Sequence, residues 1–138
     1  MDQREKMEYL KQYRIAGAAE RRLREELAMW RSTAEKVTAT LSPLPRGQGD
    51  GTGHLERAVE RLAELETALG AALEERVRLR LAVNTAIQTV PDDRLRYLLE
   101  RRYVDGCTWE QIALDMDLTY QWTCALHKKA LDLIAIDS

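Results

Sequence analysis

Apolar positions recur along much of this 138-residue chain at gaps of three and four, the spacing that lines one face of a helix. Leu23, Leu27, Trp30, Ala34, Val37 and Leu41 form the clearest run, a heptad seam on a helix expected from about residue 2 to residue 41. Upstream the seam continues more weakly through Tyr9, Tyr13, Ala16 and Glu20. Gly17 there predicts fraying or bending of the first turns, because glycine costs up to ~1 kcal/mol in a helix interior. The pattern stops at SPLPRGQGDGTGH, residues 42–54, where two prolines and four glycines read as a flexible connector. That connector lacks the Gly-Lys-Ser/Thr ending of a phosphate-binding loop. A second long helix is expected from about residue 55 to residue 88, with Leu55, Val59, Leu62, Leu65, Leu69, Leu73, Val77 and Ile87 on or near one stripe.

Neither long helix can bury its stripe alone, so the two should pair as an antiparallel hairpin over residues 1–90. Helices from a second copy could complete that packing, which makes a homodimer the expected assembly. Pro91 then sets a corner, and Asp92 or Asp93 can cap a short helix running through about Tyr103. Asp105-Gly106 ends it. Thr108 and Gln111 form a capping box that starts the next helix at Trp109 and carries it through Ile112, Ala113 and Met116. Asp117 sits where a tight corner needs positive φ, and another helix starts near Thr119. The fold class is therefore all-α: a long helical hairpin followed by a compact C-terminal domain, residues 91–138.

Composition agrees with helices, being rich in Ala, Leu, Glu and Arg and free of Phe. No apolar run approaches the ~20 residues needed to span a bilayer, and no signal-like segment opens the chain, so the expectation is a cytoplasmic protein with no membrane partner. Cys107 and Cys124 form no Cys-x-x-Cys pair and are read as free thiols. With one His beside them in the C-terminal part, no metal site, cofactor or catalytic set assembles, and an enzyme is not expected. The net charge of −2 does not advertise a nucleic-acid partner, and from Pro91 onward nine acids face six bases.

The stretch LLERRYVDGCTWEQIA and the later LTYQWTCALHKKAL nevertheless resemble region 4 of bacterial sigma factors, the C-terminal DNA reader, and more closely the small sigma-like regulators of phages and prophages. Tyr103, Gly106, Thr108, Trp109, Glu110, Ile112, Ala113, His127, Ala130 and Leu131 carry the match. The resemblance implies a helix-turn-helix that binds double-stranded DNA and regulates transcription, with RNA polymerase as a further partner. The second helix then presents Tyr120, Gln121 and Cys124 to base edges, while Arg101, Arg102, Lys128 and Lys129 meet phosphates. Asp117 stands where relatives carry Gly or Asn, and Cys124 and Ala125 replace larger polar groups, which thins the reading face. Two other readings share the pattern: a module that binds polymerase or another regulator, and a phage DNA-packaging subunit of the small terminase kind.

Overall fold

The computed structural model describes residues 1–40 and 50–137, and among them there is helix and no strand. Helices α1 (Gln3–Thr40) and α2 (Asp50–Ile87) are long; α3 (Asp93–Leu99), a π-helical turn (Glu100–Val104), α4 (Trp109–Asp115) and α5 (Tyr120–Leu133) are short. Among the described residues no helix is long and apolar enough to cross a membrane. The chain folds as two compact units, one of Met1–Gly17 with Glu75–Ser138 and the other of Ala18–Glu74.

In the Ala18–Glu74 unit the two long helices lie side by side. Leu27, Ala58 and Leu65 are buried, with Leu23, Trp30, Ala34 and Val37 half-buried around them. Glu26 pairs with Arg61 at 2.6 Å, and Arg31 with Glu66 at 3.7 Å. Such exposed pairs are screened by solvent, so the apolar seam holds the helices together.

The other unit carries the larger core. Leu10 and Tyr13 from α1 pack with Leu79, Val83 and Ile87 from α2 and with side chains from all the short helices, including Leu95, Leu99, Ile112 and Leu131. Asp92 caps α3 by accepting from the Arg94 and Leu95 amides.

Four expectations change. The first turns of α1 do not fray: the helix runs from Gln3 through Gly17, because Leu10 and Tyr13 are buried and Gln3 and Lys6 bond to α5. Helix α2 begins at Asp50, so residues 50–54, expected in the connector, are helical; glycine weakens a helix but, unlike proline, keeps its N–H. Leu41 and the rest of the connector lie outside the described residues. On α2, Val59, Leu73 and Val77 are exposed, whereas Ala58, Leu65, Leu79, Val83 and Ala86 are buried. Those five fit a strict three-four alternation with small alanines in it, where the leucine-rich stripe drifts off the buried face. Lastly, the helix expected to run through Tyr103 ends as an α-helix at Leu99 and widens into the π-helical turn, whose Asp105 amide reaches the Glu100 carbonyl at 3.0 Å.

Candidate nucleic-acid interface

The two C-terminal helices are set by local chemistry. Thr108 Oγ1 accepts from the Gln111 amide at 3.1 Å while Gln111 Oε1 accepts from the Thr108 amide at 2.9 Å, a reciprocal box that starts α4. At the other end Asp117 takes φ 56°, the left-handed conformation, and the Leu118 amide returns to the Ala113 carbonyl at 2.8 Å. Thr119 then caps α5 by accepting from the Trp122 amide at 3.1 Å. Ile112 and Ala113 face inward, as do Thr123, Leu126, Ala130 and Leu131 of α5. Thr123 spends its hydroxyl on the Thr119 carbonyl at 2.9 Å, so a polar residue is buried without an unmet donor.

That packing leaves Gln121, Ala125, Lys128 and Lys129 exposed on α5, with Tyr120 exposed at its start and Cys124 half-buried. The Tyr120 hydroxyl is raised above its ordinary pKa, first by the charge and then by the hydrogen bond of Cys124, with burial and Glu110 adding to it. Tyr120, Gln121 and Cys124 thus lie within the first turns of one helix.

The two arginines are placed differently. Arg101 pairs with Asp105 at 3.3 Å, and its Nε is buried 3.7 Å from an Asp115 carboxylate oxygen, which also accepts from the Tyr97 hydroxyl. Arg102 lies over the Trp109 ring, 4.7 Å from its centroid, and donates to the Cys107 carbonyl at 3.0 Å. Arg101 therefore braces the π-helical turn against α4, while half-buried Arg102 lies over Trp109.

Beneath them is a buried polar pair. The Tyr103 hydroxyl and His127 Nε2 share a hydrogen bond at 2.7 Å, and the Trp109 ring lies 4.4 Å from the imidazole. Burial, helped by the charges of Arg102 and Lys11, pushes His127 down to about 4, and burial pushes Tyr103 up to about 12. Both groups are neutral near pH 7, and their hydrogen bond fastens the π-helical turn to α5.

Residues of α1 enter the same neighbourhood, although nothing local in their sequence points there. Lys6 Nζ donates to the Leu131 carbonyl at 2.8 Å, and Gln3 donates to the Lys128 carbonyl at 3.2 Å and to Asp132 at 2.6 Å. The last turn of α5 has no basic residue of its own, so Lys6 supplies the cation that its carbonyls favour. Arg14 rests against Gly106, which has φ 76°; a Cβ there would meet Arg14 Nε at 3.4 Å. Among the described residues no cluster of His, Cys, Asp and Glu could hold a metal ion, and both cysteines are free. No protein-family model, no curated protein and no solved structure matches the chain.

Proposed function

We propose that the protein is a sequence-specific DNA-binding regulator of transcription, of the sigma-like kind carried by phages. In this reading α4, the Asp117 corner and α5 act as a helix-turn-helix, and α1 with α2 forms an antiparallel hairpin that pairs two copies. One observation carries the reading: α5 is fixed along its inner face by Thr123, Leu126, His127 and Ala130 while its outer face leaves Gln121 and Lys128 free to a ligand. A helix held that way keeps its side chains in register for a major groove. Gln121 reads a base, its amide pairing bidentately with adenine, and Tyr120 and Cys124 flank it. Arg102, Lys128 and Lys129 hold phosphates; Arg101 contributes less, since Asp105 and Asp115 already share its charge.

Selection of bound sequences from a random duplex pool tests this directly. On the selected site Gln121→Ala should cost ~1 to 3 kcal/mol and relax the choice at one base pair, with the salt dependence nearly unchanged. Equal losses on selected and scrambled duplexes would show that Gln121 reads nothing.

A second reading has its own support. Leu114 is 84 % exposed and Trp122 52 % exposed, an apolar pair at the two sides of the corner that suits a protein partner such as RNA polymerase or another regulator. Under it, Leu114→Ser with Trp122→Ser abolishes polymerase retention in a pull-down and leaves duplex affinity alone.

A further inference from the structure

The cations whose charges bear on the Tyr103–His127 pair come from α1 and from the π-helical turn. Arg14 of α1 packs on Gly106, and Arg102 of the π-helical turn lies over Trp109, the residue that touches His127. The charges of Lys11 and Arg102 both bear on His127, and those of Arg14 and Arg102 both bear on Tyr103. Lys11 and Arg14 are exposed and, three residues apart on a helix, share one flank. Gln3 lies beside Lys128 and Asp132 while Arg14 lies beside Gly106, so α1 runs along α5 from its last turn back towards the start of α4.

Charge counts change once packing decides which segments belong together. Residues 91–138 alone carry nine acids and six bases. Residues 1–17 and 75–90 fold with them and bring four acids and seven bases, so the unit balances at thirteen of each. Among the described residues, Glu8, Glu75, Asp93, Asp105 and Asp115 of this unit are held in ion pairs by Arg4, Arg78, Arg96 and Arg101, with Arg101 serving two of them. The cations Lys11, Arg14 and Lys128 face solvent, and duplex DNA presents a phosphate charge about every 1.7 Å along its axis, a closer match to such a row than the sparse carboxylates of a protein surface.

We propose that Lys11 and Arg14 of α1, with Arg102 and Lys128, form a phosphate-binding flank, so that the N-terminal helix grips the DNA backbone while α5 lies in the groove. This rests on the DNA-binding reading above. Backbone contacts of this kind fix position and carry no sequence information.

The test is titration of the full chain and of Lys11→Ala/Arg14→Ala with a random-sequence duplex between 50 and 200 mM salt, conditions in which each lost phosphate contact lowers the log-log slope by ~0.9. The double variant should lose ~1.8 from the slope, so that the native chain's affinity falls about 12-fold more than the variant's over that range. Lys11→Arg/Arg14→Lys should restore the slope, and equal thermal midpoints by circular dichroism separate lost charge from lost folding. A native slope in the alanine variant, with Gln121→Ala still changing sequence choice, overturns the flank and leaves the reader standing. No duplex binding by the native chain at 50 mM salt overturns both, and retention of polymerase that depends on Lys11 and Arg14 then assigns the flank to a protein partner.

Discussion

Asp117, at φ 56°, is the non-glycine residue in the left-handed region among the described residues, and a side chain there is strained. Asp117→Gly should therefore be neutral or stabilising by up to ~1 kcal/mol, and Asp117→Val should destabilise, both read from urea midpoints. A Val variant as stable as the native chain would mean that the corner is relaxed. His127 makes a second residue-scale prediction. Its pKa is about 4 in the folded chain, against 6.5 for the unpaired side chain, because burial and the neighbouring cations disfavour the charged form. Between those values the unfolded chain binds more protons, so stability rises with pH across the window. His127 thus favours the folded state fully above about pH 6.5 and progressively loses that advantage towards pH 4, a difference on the order of 3 kcal/mol. His127→Gln, which can still bond to the Tyr103 hydroxyl, should flatten the change in urea midpoint between pH 7 and pH 4.5; an unaltered pH dependence would place the titration elsewhere.

At the scale of elements, the buried face of α2 is open to a direct comparison. Leu79→Ala should cost ~2 to 5 kcal/mol through lost burial and a residual cavity, while Val77→Ala, at a position 70 % exposed, should stay within ~0.5 kcal/mol. Comparable losses at the two positions would restore the leucine-rich stripe. What could be read from the chain and what could not divides along the same line. The Thr108–Gln111 box, the Gly106 and Asp117 corners and the start of α5 at Thr119 are set within a few residues and were legible. The inward face of α2 was only half legible, since Ala58 and Ala86 give a weak hydrophobic signal yet are small enough for a neighbouring helix to approach closely. The π-helical turn was not legible at all: it seats Tyr103 on His127 and Arg102 on Trp109, partners 24 and 7 positions away, and no local rule specifies it. The same holds for the part of the candidate interface contributed by α1, because Lys11 and Arg14 look like ordinary surface charge until packing brings them to the C-terminal helices.

For the whole molecule the seam through Leu23, Leu27 and Trp30 sets the expectation about assembly. Leu27 is buried within one chain, so if the hairpin pairs two copies it does so through side chains left exposed, and replacing Leu73 and Val77 together by Glu should convert a dimer to a monomer in sedimentation; a native chain already monomeric at roughly tens of micromolar would end that proposal. The discontinuous unit has a different consequence, one that concerns the order in which the protein is made. Leu131, a member of the same core as Leu10, leaves the ribosome 121 positions after it. At ordinary rates of synthesis that gap lasts roughly 5 to 25 seconds. Through it Leu10 and Tyr13 stand without the side chains that bury them, and that segment is open to a chaperone or protease.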